Sequence, residues 1–409
     1  MSLERRFVTL TALRWIPVGL LIPVTVLYAL DAGLTIAEVG LAFSIQGFIV
    51  LALELPSGAL ADSWGRRPVL ITAGLFSCAA VVGLVFAHSF WGFAAVYALQ
   101  GIHRALDSGA LEAWFADAVL ESGRPEVIGR GLAAGGTAIG LGIGGGALLS
   151  SGLVIVAPLV GADPLLLPIA VSAALSAVSV TAVALVVRDD HRTAAHRSLR
   201  IGLADVPATL VSGVRLLRQS RVLRALVAVE LFWGFGMIAF ETLTPVRLQD
   251  LVGGADDAAA IMGPVTAAAW LVFAAGSALV RPLSSIAGIA LAAAILRIVQ
   301  GATVIVLGLV AGPVGLVTAF LACYAVHGAS NPLHSSLLHA QVTGTNRATV
   351  LSMNSMVGQP SGAIGAIVLG AVASSAGVST AMVIGGGVLA LAAPLYLPAW
   401  RAGRTHRER

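Results

Sequence analysis

The sequence predicts an all-α polytopic membrane protein, with twelve transmembrane helices in two pseudo-symmetric six-helix bundles. Three observations carry this. Hydrophobic residues make up 58% of the 409 positions and charged residues only 11%, whereas a soluble domain carries about 25% charged residues. Apolar stretches long enough to cross a bilayer recur along the whole chain, and a helix needs about 20 such residues to do so. Finally, an unusual polar helix occurs once in each half. The short alternation of apolar and polar positions that marks a membrane β-barrel is absent.

Taken in order, the apolar runs predict spans over 8–30, 39–59, 69–88, 90–115, 129–151, 164–187, 223–247, 259–281, 286–309, 312–340, 348–373 and 377–399. The first follows Arg5 and Arg6. It is too long for the apolar core of a signal peptide and ends in no small-residue cleavage site, so a retained span is expected. The chain contains no lysine, and nearly all of its arginines lie at the N-terminus, in alternate loops or at the C-terminus. Basic residues stay on the cytoplasmic side, so both termini are expected to be cytoplasmic in the plasma membrane. Only Arg247 falls in the opposite loops, while Arg14, Arg104 and Arg297 lie within spans.

The longest loop divides the chain into an N-terminal bundle (1–187), a cytoplasmic linker (188–222) and a C-terminal bundle (223–409). It opens with "RDDHRTAAHRSLR", and Leu203, Val206, Leu210, Val214 and Leu217 then recur at helical spacing. A surface-lying amphipathic helix is expected; a solvated charged linker is the alternative. Cys78 and Cys323 occupy separate apolar segments. They suit neither a metal nor a disulfide framework and are expected to be buried, inert thiols.

The duplication lies in the fourth and tenth spans. "YALQGIHRALDSGALEA" (97–113) aligns without a gap on "YAVHGASNPLHSSLLHA" (324–340). At 100° per residue, Tyr97, Gln100, Gly101, Arg104, Asp107, Ser108 and Glu112 share one stripe. The same positions in the tenth span hold Tyr324, His327, Gly328, Asn331, His334, Ser335 and His339. In the seventh span Glu230, Trp233, Gly234, Met237, Glu241 and Thr244 follow the same rule, and Arg14, Val18, Leu21, Thr25 and Tyr28 share a face of the first. A charge at the bilayer centre costs about 2.5–3.5 kcal/mol on the insertion scale. Such stripes must face protein or water, and equivalent stripes in two halves point to one shared polar cavity. Tyr28, Gln100, Arg104, Trp233, Tyr324, His327, Asn331 and His334 are the expected substrate-cavity residues. Asp107, Glu112, Glu230 and Glu241 are candidate proton carriers, with Asp107 and Glu230 foremost. The alternative is that these groups tie helices together, as an Arg104–Asp107 pair would.

One short stretch carries more charge than its surroundings. "GALADSWGRRPVL" (58–70) resembles the signature loop of the major facilitator superfamily, through Gly58, Leu60, Ala61, Asp62, Gly65, Arg66, Arg67 and Leu70. The glycines suit a tight turn and close helix approach, and Asp62 and Arg66 suit charge-assisted bonds, with Asp117 a further partner. The resemblance implies a latch of the outward-facing state built from Gly58, Asp62, Gly65, Arg66, Arg67 and Asp117. "GSALVRPLSSIAG" (276–288) is a faded counterpart that keeps Gly276 and Arg281 but no acid. "GGTAIGLGIGGGALL" in the fifth span is similar to the superfamily's antiporter signature at Gly136, Gly140, Gly144 and Gly145, with Leu141 where that signature has proline; simple helix packing is the alternative.

"LELPSGALAD" and "SGALEAWFAD" resemble bacterial drug- and metabolite-efflux members. The expected function is therefore proton-coupled export of a small hydrophobic or amphipathic organic compound by alternating access. Uptake or uniport of a small metabolite is the alternative, and a non-transporting receptor or enzyme the alternative of another class. No hydrolase, zincin or phosphate-loop motif occurs. The two His of "HRTAAHR" have no convergent carboxylate or Cys, so neither a metal nor a cofactor is expected. The partners expected are a small-molecule substrate, protons and the lipid bilayer, with no nucleic acid; the net charge of +4 suits arginines beside anionic lipid. A monomer is expected to suffice.

Overall fold

A computed structural model describes residues 2–188, 199–341 and 347–407. The side chains of Asp62 and of residues 199–205, 209, 347–349, 351 and 404–407 lie outside that description. The described residues are helical almost throughout, and no strand occurs among them. In the first part of the chain run α1 (Leu3–Leu21), α2 (Thr25–Asp31), α3 (Ile36–Trp64), α4 (Arg66–Val85), α5 (Phe90–Leu106), α6 (Ala110–Glu121), α7 (Val127–Val156) and α8 (Leu166–Val186). Then come α9 (Leu199–Gln219), α10 (Arg221–Glu241), α11 (Leu243–Val252), α12 (Ala255–Ala278), α13 (Val280–Ala287) and α14 (Ile289–Leu309). α15 (Pro313–Ala340), α16 (Arg347–Ala376), α17 (Val378–Ala390), a 3-10 turn (Ala393–Tyr396) and α18 (Leu397–Arg407) complete the order.

Among the described residues, 11 helical runs are long and apolar enough to cross a membrane. The expected fourth span falls on two shorter helices, α5 of 17 and α6 of 12 residues. The chain turns between them at Asp107–Gly109, where Gly109 has a φ of 71°, a left-handed conformation that glycine adopts without a Cβ penalty. This corrects the unbroken stripe expected from Tyr97 to Glu112: a fixed step per residue cannot be carried across the break. α15, the repeat partner, is continuous over 28 residues in spite of Pro332. In the linker, α9 forms over the predicted amphipathic stretch. Leu216 and Leu217 pack against buried Leu223, Leu226 and Val227, Val214 is exposed, Leu203 has no described side chain, and residues 189–198 lie outside the described residues.

Two compact units emerge. The first comprises 1–34, 48–206 and 254–267. Its main seam joins α1 to α7, where glycines let backbones touch: a Cβ on Gly19 would collide with the Ile143 carbonyl, and one on Gly146 with the Ile16 carbonyl. Phe7 and Phe115 stack beside this seam with centroids 4.5 Å apart. Residues 254–267 join this unit through Ser151, whose hydroxyl donates to Ala259 O at 2.9 Å and accepts from Gly263 N at 3.0 Å. The glycines of α7 that make close contacts are thus Gly131, Gly135, Gly142 and Gly146. Of the signature set, Gly136 and Gly145 have open space around them, and Gly144 meets only Ala267, at 3.5 Å.

The second unit comprises 35–47, 207–253 and 268–409. α10 packs on α16 and α14 on α17 by the same device: a Cβ on Gly234 would lie 2.6 Å from the Gly358 carbonyl, and one on Gly301 2.5 Å from that of Gly386. Residues 35–47 belong here because Gly40 abuts the Ala366 carbonyl and Ala37 N donates to Ser374 Oγ at 2.9 Å. α12 meets α15 through Gly276 against the Ala325 carbonyl and Gly328 against that of Phe273. Without a hydrophobic drive between helices in lipid, such close van der Waals contact is a principal source of association.

Gly276→Ala is expected to lower the unfolding temperature in detergent, since overpacking costs about 1–3 kcal/mol. Gly145→Ala, in open space, should leave it unchanged or raise it. Equal responses of the two variants in parallel thermal melts would contradict the backbone-contact account.

Candidate functional site

The charged turn between α3 and α4 takes the shape its glycine requires. Gly65 has a φ of 89° and precedes the first residue of α4. Arg67 donates to Ala184 O of α8 at 2.8 Å, tying the turn to its own unit. Arg66 Nε stands 3.7 Å from Asp117 Oδ2, an ion pair too long for a hydrogen bond, and Asp117 is 60% exposed. Exposed pairs of this kind are worth little by themselves. Gly58 departs from expectation: it lies within α3 and a Cβ there would meet nothing within 4 Å, so no close helix approach depends on it. The Asp62 side chain lies outside the described residues. In the second unit the counterpart of Gly65 is Gly288, with a φ of 74° ahead of α14, whereas Gly276 serves helix contact and Arg281 is exposed.

The polar core of the first unit centres on Arg14. Its guanidinium forms a direct ion pair with Asp107, the two side chains being 16% and 20% exposed, and it also interacts electrostatically with Glu112. Arg14 therefore joins α1 to both sides of the α5–α6 break. The Arg104–Asp107 pair of the alternative reading does not occur among the ion pairs of the described residues, where Asp107 pairs with Arg14. Asp107 sits at the C-terminal cap of α5 and bonds to α1 instead, while Arg104 is exposed and interacts with Glu54 of α3. Gln100 is half-buried and Tyr97 buried. Tyr28 is buried too; its hydroxyl donates to Val85 O at 3.4 Å and its ring lies 6.1 Å from that of Phe93.

The second unit holds two polar groups between α10 and α15. At one level Glu230 Oε1 lies 3.2 Å from His334 Nε2. The other ring nitrogen, Nδ1, is 3.0 Å from the Tyr396 hydroxyl, and Tyr396 accepts from Arg297 Nε at 3.4 Å. Arg297 also donates to Gln300 Oε1 at 2.8 Å. Arg297 is 1% exposed and Gln300 fully buried. At the other level the Tyr324 hydroxyl donates to Glu241 Oε1 at 2.6 Å. Between them His327 is enclosed by rings: Trp233 stacks on it at 5.7 Å, with Phe273 at 5.3 Å and Phe240 at 5.9 Å. The buried His327 Nδ1 and Trp233 Nε1 have no hydrogen-bond partner. Asn331 is exposed. Cys323 is buried as expected, but Cys78 is only half-buried.

Sequence reasoning missed Arg14 as the partner of Asp107, and it missed Glu54, Arg297, Gln300 and Tyr396. A lone arginine in the otherwise apolar α14 was signal enough to single out Arg297. Tyr396, within "APLYLPAW", offered none.

Membrane-length helices that carry ionisable groups in both units define a multi-pass membrane protein. The chain belongs to the Major Facilitator Superfamily, which it matches over residues 7–330. Over 87 residues it is 40% identical to the uncharacterized MFS-type transporter YhjO of Bacillus subtilis, a stretch covering 21% of this chain and 22% of that protein. Its fold is similar to that of the nucleoside transporter NupG, with a TM-score of 0.77, 15% identity and coverage of 97% and 98% of the two chains. It is also similar to a bacterial homolog of the human lysosomal transporter Spinster in an inward-facing, unoccupied conformation, with a TM-score of 0.76, 14% identity and coverage of 98% and 96%. For the human organic anion transporter MFSD10 (TETRAN) the TM-score is 0.63, with 20% identity and coverage of 97% and 100%. The protein is a transporter and not an enzyme.

Arg14→Ala should destabilise the fold by leaving Asp107 uncompensated, and Asp107→Asn added to it should recover part of the loss. The coupling in a double-mutant cycle is expected at roughly 0.5–3 kcal/mol; additive single effects would show that the pair contributes nothing.

Proposed function

We propose that the protein exports a small hydrophobic or amphipathic organic compound in exchange for protons, by alternating access in the plasma membrane, with both termini cytoplasmic. The N-terminal and C-terminal bundles act as a single monomeric carrier, and the Arg66–Asp117 pair with Asp62 serves as the latch of one state. The observation that carries the reading is Glu241, a carboxyl inside a membrane-length helix whose bonded partner is the neutral Tyr324 hydroxyl. Such a group can gain or lose a proton without first displacing a bonded cation, and ionisable residues inside membranes mark pathways. Asp107, held by Arg14, is better suited to a conformational tie than to carrying the proton. The aromatic surround of His327 favours an apolar or amphipathic substrate.

A second reading, uptake or uniport of a metabolite, draws on Leu141, which stands where the antiporter signature has proline. Flux into inverted vesicles separates the two. With a fluorescent lipophilic cation and a nucleoside as probes, export predicts accumulation driven by an acidic interior and its loss in Glu241→Gln. Accumulation of either probe that ignores the pH gradient would replace export with uniport.

A further inference from the structure

The stack of Trp233 on His327 leaves two polar atoms unanswered. Buried donors and acceptors in folded proteins have partners in the great majority of cases, and each exception needs an explanation. Here two exceptions lie side by side. Trp233 Nε1 and His327 Nδ1 are both sealed from solvent and without a hydrogen-bond partner, and their rings lie 18° from parallel with centroids 5.7 Å apart. His327 is 9% exposed. Phe240 of α10, Phe273 of α12 and Tyr324 of α15 close the surround at 5.9, 5.3 and 6.4 Å.

The frame behind the pair is rigid. Each of the two residues is followed by a glycine in backbone contact: Gly234 abuts the Gly358 carbonyl of α16, and Gly328 abuts the Phe273 carbonyl of α12. A partner for either nitrogen therefore arrives by parting side chains and not by moving helices. Water suits the place poorly, since a lining of aromatic rings offers few of the several polar contacts that a buried water makes. A flat ring compound suits it well: its faces replace the ring contacts and its edge supplies the missing bonds. An indole nitrogen only donates, so that edge must carry an acceptor. Fully buried Arg297 acts electrostatically on His327, and a cationic ligand would be repelled by it. The Glu241 carboxylate, farther along α10, is engaged by the Tyr324 hydroxyl.

We propose that Trp233 and His327 are the recognition pair of a binding site for planar, uncharged ring compounds with a hydrogen-bond acceptor on one edge. The proposal narrows the substrate class of the transport reading and rests on it. Without ligand the stack closes on itself. The entering ring parts Trp233 from His327, and its acceptor takes the indole hydrogen. A site of this kind selects against an analogue that lacks the acceptor, because the buried donor then stays unpaired.

Probes of similar shape and different edge chemistry provide the test: 2-quinolone, which carries a lactam; naphthalene, which has no polar atom; and N-methylquinolinium, a cation. Equilibrium binding is measured on the full-length protein in nanodiscs, with partition into empty nanodiscs subtracted. 2-Quinolone should bind about tenfold tighter than naphthalene, as expected for one buried hydrogen bond, and N-methylquinolinium no tighter than naphthalene. Trp233→Phe keeps a ring and removes the N–H; it should bring the preference within about twofold and retain naphthalene binding. His327→Phe also keeps a ring, should lower the preference as well, and serves if Trp233→Phe does not fold. Indole-nitrogen NMR should show an unpaired Trp233 N–H, assigned by its loss in Trp233→Phe, that moves downfield as 2-quinolone is added. Equal binding of 2-quinolone and naphthalene, tightest binding of the cation, or no saturable binding of 2-quinolone would overturn the proposal. So would a preference unchanged in both variants, or a Trp233 N–H already bonded to water in the ligand-free protein. The vesicle flux experiment reports separately. If the preference holds but no pH gradient drives flux, the site stands and the export reading falls; pH-driven flux without the preference is the reverse.

Discussion

Charge inside a membrane protein must find its partner within the protein, because the hydrocarbon around it offers none. That constraint organises both units. In the first, Arg14 gathers Asp107 and Glu112; in the second, Arg297 is joined to Glu230 by a tyrosine and a histidine. The two solutions differ in kind. A direct ion pair is a tie that holds until one partner is replaced. In the second unit the two charged groups are set apart, with a phenol and an imidazole between them. The division suits a carrier, which needs rigid struts as well as groups that respond.

The second organising interaction is backbone contact. Gly19, Gly146, Gly40, Gly276 and Gly328 each lie so close to a neighbouring carbonyl that a methyl group would not fit. These contacts decide which segments count as one body, including residues 35–47 with α16 and residues 254–267 with α7.

Much of the helical layout was legible, because a bilayer imposes a length on every apolar run. The fourth span was misread for an identifiable reason. Asp107, Ser108 and Gly109 form a turn signal, but the matching residues of the repeat, His334, Ser335 and Ser336, continue a helix, and the repeat was taken to carry its shape across. Glycine spacing in α7 identified a small-residue helix without revealing which positions meet α1 and α6, so Gly135, Gly142 and Gly146 against α1 and Gly131 against Phe115 went unnoticed beside the signature set. The site was legible where chemistry is rare: Asp107, Glu230, Glu241 and His334 all have a polar side chain as neighbour. It was not legible where a partner comes from distant sequence, since nothing in the run around Tyr396 distinguishes a packing tyrosine from one that hydrogen-bonds to Arg297 and His334.

The break between α5 and α6 has an electrostatic character of its own. α5 ends at Asp107 with carbonyl groups that carry partial negative charge, and α6 begins just beyond with amide groups that carry partial positive charge. The peptide field thus reverses sign within a single turn, and one carboxylate stands at the reversal. An α-helix running straight through would have no such point. The joint gives the first unit a place where a small tilt of either segment alters the potential felt by Asp107, and with it the strength of its hold on Arg14.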